Sequence, residues 1–123
     1  MATTKIKLGA EGERLAVQRL IEIGYEIIEC NYRSKMGEID IIAKDQHVIC
    51  FIEVKMRTSD EQGHPLESIT VSKQRKISLS ALSYLQEHEL LSSQEARFDV
   101  VSIMENEGSI QVEIIQNAFE SCV

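Results

Sequence analysis

Two short stretches carry charge where strands should carry hydrocarbon. "GEIDII" (37–42) holds Glu38 and Asp40, and "FIEVK" (51–55) holds Glu53 and Lys55. The pattern is an aspartate, twelve intervening residues, then Glu-x-Lys. Carboxylates held close together repel and are costly to bury. A divalent cation such as Mg2+ or Mn2+ removes that cost, because hard cations prefer carboxylate oxygen and retained water. Such a site suits phosphodiester hydrolysis. The ion polarises a phosphoryl oxygen and lowers the pKa of a bound water, and a neighbouring lysine orients that water or stabilises charge developing on phosphorus.

The elements must bring these residues together. "AEGERLAVQRLIEI" (10–23) has helical spacing, with Ala16, Leu20 and Ile23 on one face and Gly24 as the stop. "YEIIECNYR" (25–33) reads as a strand, and "EIDIIAK" (38–44) alternates with Ile39, Ile41 and Ala43 on one face. The short link Asp45-Gln46-His47 predicts an antiparallel hairpin with "VICFIEVKMR" (48–57). On that third strand Ile49, Phe51, Glu53, Lys55 and Arg57 share a face, as Glu38, Asp40 and Ile42 do on the second. A polar loop with Gly63 and Pro65 leads to a second helix (70–88), whose Ile77, Ala81, Tyr84 and Leu85 face inward, with Ser78, Ser80 and Ser83 on its solvated side. Strands over 96–104 and 109–115 complete the order α-β-β-β-α-β-β. The helix between the third and fourth strands implies that those two run parallel, in one mixed sheet flanked by helices.

Further residues join by periodicity. Glu13 precedes Ala16, Val17 and Leu20 by three, four and seven positions, which places it on the inward face of the first helix. Its simpler reading is a helix N-terminal acid favoured by the dipole. Lys73 and Gln74 precede Ile77 by four and three, extending the inward face of the second helix, or else form its solvated start. Arg33 is a candidate phosphate contact or a surface ion pair, and Glu53 with Lys55 could form an ordinary ion pair. Arg97 and Asp99 share a strand face and can pair structurally.

Composition bounds the rest. With 123 residues, 43% hydrophobic and 27% charged, the chain is expected to be one soluble globular domain (1–123, core about 7–115). Three cysteines without a CxxC pair argue against a disulfide framework, and the first residues lack the apolar core of a signal peptide, so a cytoplasmic protein without membrane association is expected. Net charge is −7, with bases gathered at Lys5, Lys7, Arg33, Lys35, Lys55, Arg57, Lys73, Arg75 and Lys76. Any DNA is therefore expected to bind weakly, at a local basic surface on an acidic chain. The three histidines lack metalloprotease spacing, and there is no nucleophile elbow or Gly-rich phosphate loop.

Several blocks together resemble one family. "GE" (12–13), "GY" (24–25), "NYR" (31–33), "GEIDII" (37–42), "FIEVKMR" (51–57), "SKQRKI" (72–77) and "RFDVV" (97–101) are similar, in order and spacing, to the YraN-like family of small bacterial proteins. That family is similar to Holliday junction resolvases and to the PD-(D/E)XK nuclease superfamily. The resemblance implies a restriction-endonuclease-like core and a Mg2+- or Mn2+-dependent endonuclease acting on DNA, with branched DNA a candidate substrate. It implies Asp40, Glu53 and Lys55 as the catalytic set, and Glu13, Asp40, Glu53 and the Val54 carbonyl as metal ligands. Lys73 and Gln74 stand where related nucleases place a residue that reaches the site, and with Arg33 they are the candidate nucleic-acid contacts. Met56 stands where a small polar residue would be expected, and should face away from the triad. The alternative is a non-catalytic nucleic-acid-binding or adaptor protein that retains the fold. A homodimer is compatible with either.

Overall fold

The computed structural model describes residues 5–58 and 63–123, with side chains from residue 10 onward. Outside these lie residues 1–4, where no signal-peptide core was read, residues 59–62 of the polar loop, and the side chains of Lys5 and Lys7. The chain runs α1 (Lys5–Glu22), β1 (Glu26–Ser34), β2 (Gly37–Asp45), β3 (Val48–Thr58), a 3-10 turn (Pro65–Ser68), α2 (Val71–Glu87), β4 (Ala96–Asn106) and β5 (Ser109–Phe119). This is the anticipated order in one five-stranded mixed sheet, β1-β2-β3-β4-β5. Only β3 and β4 pair parallel, because α2 carries the chain back between them.

The two helices serve different cores. Ala16 and Leu20 of α1 pack with Tyr25, Ile41, Ala43, Cys50, Ile52, Val101 and Ile103. Ile77, Ala81, Tyr84 and Leu85 of α2 pack with Ile42, Ile49, Phe51, Phe98 and Val100. Successive strand residues alternate between these clusters, so the helices cover opposite faces of the sheet. Ile39 departs from the expected alternation. It joins Tyr32 in the α2-side cluster, away from Ile41 and Ala43.

Local chemistry sets the helix ends. α1 begins at Lys5, earlier than its apolar spacing shows, so Lys5 and Lys7 lie within it. It closes with Tyr25 N–H donating to Leu20 O (2.9 Å) and Gly24 N–H to Ile21 O (3.0 Å), with Gly24 at φ 104°. Ile23 therefore falls past the helix end and is 44% exposed, contrary to its expected inward place. Thr70 caps α2, its hydroxyl accepting from Lys73 N–H at 3.2 Å. Ser78 and Ser80, expected in solvent, are buried. Ser80 Oγ lies 2.9 Å from Ser34 Oγ, and Ser78 Oγ accepts from Cys122 N–H at 3.1 Å, so α2 is covered by the sheet and by the C-terminal segment.

Met56 faces α1. A Cβ on Gly12 would meet its sulfur, so a larger residue there would require the Met56 thioether to move aside. Met56 thus points away from the carboxylates, as expected from strand alternation.

The α1 face also holds a buried carboxylate. Asp99 has no exposed surface. It accepts hydrogen bonds from Tyr25 Oη (2.9 Å), Arg97 Nε (3.0 Å) and Asn117 N (2.9 Å), and Arg97 also reaches Asp45 at 2.8 Å. The Asn117 bond sits at an irregularity opposite Phe98 and Val100, where Asn117 takes φ 51°. That adjustment lets β5 run on to Phe119, past the expected end at 115, so that Phe119 stacks on Phe98 at 4.9 Å. Removing one partner from a buried charged network typically costs about 3–5 kcal/mol. Asp99→Ala should lower stability in urea unfolding by that order, and a loss below about 1 kcal/mol would show the network to be dispensable.

Candidate functional site

Strands β2 and β3 pair only in part. Their register runs from Asp45↔Val48 to Ile41↔Ile52 and stops. Beyond it, β2 stays with β1 and β3 stays with β4. In the gap, Val54 N–H donates to Asp40 Oδ2 at 2.8 Å, a side-chain oxygen in place of a backbone carbonyl. Asp40 and Glu53 then line one cavity of about 250 Å3, with Gly37, Glu38, Lys73, Lys76 and Ile77. Cross-strand placement and the N-terminal part of α2 thus bring five charged groups, Glu38, Asp40, Glu53, Lys73 and Lys76, together.

The electrostatics are unbalanced. Lys73 Nζ lies 3.6 Å from Glu53 Oε1, whose side chain is 13% exposed. That is long for a strong hydrogen bond. A lysine in the first turn of a helix opposes the macrodipole, so its place here is explained by Glu53 and not by helix chemistry. Burial, with the Asp40 charge second, pushes the Glu53 carboxyl up to about 7 despite Lys73. Burial also raises Asp40, opposed by the Val54 amide and aided by Glu38 and Glu13.

The other expected residues divide. Lys55 is half-buried on the strand face of Glu53, two residues on. The cation that Glu53 pairs with is Lys73, and not Lys55 as the ion-pair reading had it. Glu13 lies in mid-helix on α1, well beyond the first turn. Its Oε1 accepts from Asn31 Nδ2 at 2.9 Å, and it lines a separate hollow with Ala10, Arg14 and Val17. Gln74 turns its amide to Ile69 O at 3.1 Å, capping the segment before α2 rather than facing the carboxylates. Arg33 is exposed and lies 3.6 Å from Glu38. Lys76 was read only as one of the basic cluster. It lines the carboxylate cavity one helical turn from Lys73, an i+3 spacing that could have singled it out.

Among the described residues, no group of three or more His, Cys, Asp or Glu is arranged to hold a metal. Asp40 and Glu53 remain a pair of hard oxygen donors in a shared cavity. That set fits Mg2+, which keeps several waters and takes one or two protein carboxylates together with substrate phosphate.

A model of the uncharacterised protein family UPF0102 matches residues 12–103, from within α1 to within β4. The chain belongs to the UPF0102 family. A UPF0102 protein of Syntrophus aciditrophicus is 45% identical, covering 96% of this chain and 92% of that one. One from Geobacter metallireducens is 48% identical over 92% of each chain, and one from Chlorobium phaeobacteroides is 46% identical over 91% of this chain and 93% of its own. The YraN-like resemblance is consistent with this membership. Among the described residues no helix is long and apolar enough to cross a membrane.

The raised carboxyl in this UPF0102 chain has a consequence for stability. Between its ordinary value of 4.5 and about 7, folded Glu53 keeps a proton that the unfolded chain releases. Stability therefore falls as pH rises through that window. Glu53→Gln should flatten this slope in metal-free protein. The variant should match wild type near pH 4 and exceed it at pH 8 by on the order of 2–3 kcal/mol, read from urea midpoints. A wild type more stable than the variant at pH 8 would contradict the assignment.

Proposed function

We propose that the protein is a divalent-metal-dependent endonuclease that hydrolyses phosphodiester bonds of DNA, with branched DNA a candidate substrate. The observation that carries this reading is the pairing of Asp40 and Glu53 in one cavity where β2 and β3 part, with lysines at its rim. Two largely buried carboxylates with raised pKa values lack a full counter-charge, which a hard cation would supply.

Asp40 and Glu53 would hold Mg2+ or Mn2+. The ion, when bound, polarises a phosphoryl oxygen and lowers the pKa of a coordinated water. The Val54 amide fixes the Asp40 carboxylate, so one ligand is positioned before anything binds. Lys55 stands beside Glu53 on the strand and is assigned to the charge that develops on phosphorus. Lys73 and Lys76 rise from α2 on the other side of the cavity and would hold the non-bridging phosphate oxygens. Glu13 supports the reading less directly. Its charge reaches Asp40, but its side chain is engaged by Asn31.

Two measurements test this reading. Mn2+ calorimetry should show one saturable site that Asp40→Ala or Glu53→Ala abolishes, with affinity rising as pH passes 7. Lys73→Met, which removes the competing ammonium, should tighten Mn2+ binding severalfold. Unchanged heats in both carboxylate variants would remove the metal site. In a nicking assay over duplex, single-stranded, flap and four-way substrates, Lys55→Ala should lower turnover about 10²–10³-fold with little change in affinity. A wild type that binds metal but cuts none of these would favour the non-catalytic adaptor.

A further inference from the structure

The carboxylate cavity does not end at α2. It shares Gly37, Glu38 and Lys76 with a second hollow of about 380 Å3. That one shares Arg33, Ser34, Lys35 and Met36 with a third, of about 710 Å3, walled by Leu79, Leu82 and Ser83 of α2. The three form one trench that leaves the carboxylates, crosses the β1–β2 turn and follows the flank of α2. Away from the carboxylates its charged lining is Arg33, Lys35 and Lys76 against Glu38 and Glu87. Bases outnumber acids there, in a chain with 20 acids and 13 bases.

The turn itself is rigidly held. Ser34 Oγ accepts from Met36 N–H at 3.1 Å, lies 3.3 Å from Gly37 O, and meets Ser80 Oγ of α2 at 2.9 Å. Gly37 packs so close to α2 that an added Cβ would lie 3.3 Å from Lys76 Cβ and 3.4 Å from Ser80 Oγ. On this pinned turn Met36 is 51% exposed, follows Lys35 in the chain, and lines both outer hollows together with Arg33 and Lys35. A thioether offers nothing to a phosphate. It does offer a polarisable apolar surface to the face of a base, and apolar side chains including Met are used as wedges between base steps.

We infer that the β1–β2 turn is a base-contacting wedge, with Met36 packing on an unpaired or unstacked base while Arg33, Lys35 and Lys76 hold the strand's phosphates along the trench. The inference rests on the nuclease reading for the direction of the strand, and it deepens that reading by naming the substrate class. In an intact duplex the base faces are covered by their neighbours, so Met36 has nothing to pack on. In a single strand, a flap or the arm of a branch the face is free. A preformed wedge also binds without first ordering its own loop, which keeps the cost of the contact low.

The test is fluorescence anisotropy with the full chain in EDTA at low salt. The probes are labelled oligonucleotides: a single strand, a 3′ flap, a four-way junction and a blunt duplex. Wild type should bind the first three at least several-fold more tightly than the duplex. Stacking on one base is worth about 1–3 kcal/mol, so Met36→Ser should weaken the single strand and flap roughly 5- to 100-fold and leave the duplex within about twofold. Met36→Leu, still apolar, should keep most of the preference. A 2-aminopurine placed along the flap should change its fluorescence with wild type and not with Met36→Ser. Equal affinity for all probes, equal losses on all probes, or no loss on any overturns the wedge, as does an absence of binding. These readouts need no cleavage. A Met36-dependent preference in a chain that never nicks keeps the wedge and discards the nuclease, while nicking unaffected by Met36→Ser does the reverse.

Discussion

The hydrogen bond from Val54 N–H to Asp40 Oδ2, at 2.8 Å, lets two strands part without stranding backbone. A strand pair that stops mid-sheet would ordinarily leave amides and carbonyls unpaired in a half-buried gap, at a cost comparable to a lost hydrogen bond each. Here a carboxylate takes over the acceptor role of the missing β2 carbonyl. The opening then becomes usable space, because β3 remains braced by its ten-residue parallel pairing with β4. The same bond fixes one oxygen of Asp40 and turns the carboxyl toward Glu53. Gap and site have one origin.

The sheet's two faces treat buried carboxylates in opposite ways. Asp99, under the α1 face, meets an arginine, a phenol and a backbone amide. Its lone pairs are spent within the fold, and the product is a fixed corner joining β1, β4 and β5. Glu53, under the α2 face, meets one ammonium at 3.6 Å and a like charge across the gap. Glu53 therefore gains from a proton or a cation. Incomplete satisfaction at one largely buried acid, in a fold that satisfies another fully, is the physical support for the proposal that the first holds a ligand.

Element order and the parallel β3–β4 pairing were legible in the sequence because they rest on periodicity and connection length. Asp40, Glu53 and Lys55 were legible because charge on a strand face is unusual at any one position and more so at neighbouring ones. What was hidden depended on tertiary relations. Glu13 was rightly placed toward the protein, but helical periodicity does not say that Asn31 meets it there. Gln74 and Lys73 are adjacent in sequence, yet one caps Ile69 and the other enters the cavity. Ser78 and Ser80 looked solvated because serine usually is, and small side chains are what permit α2 to lie against the β1–β2 turn and the C-terminal segment. From the sequence β5 is expected to end at Ile115, where its run of β-formers gives way to Gln116-Asn117. Asn117 instead takes a left-handed conformation whose amide is claimed by Asp99.

Net charge then bears on selectivity. A chain at −7 has no long-range field that draws in a polyanion. At physiological salt the Debye length is about 8 Å, so only charges near a bound strand contribute. The bases of the trench, Arg33, Lys35 and Lys76, line a single path that Glu38 and Glu87 share. Capture by non-specific attraction to duplex is correspondingly weak. On the proposed reading, affinity would come from contacts that form only when a strand threads the trench: phosphates against Lys76 and Lys35, and the carboxylate pair at its end once neutralised. Hydrolysing groups are dangerous to a cell in proportion to how readily intact DNA reaches them. If the proposed nuclease reading holds, an acidic surface around a short basic path would restrict such groups to nucleic acid whose shape already fits.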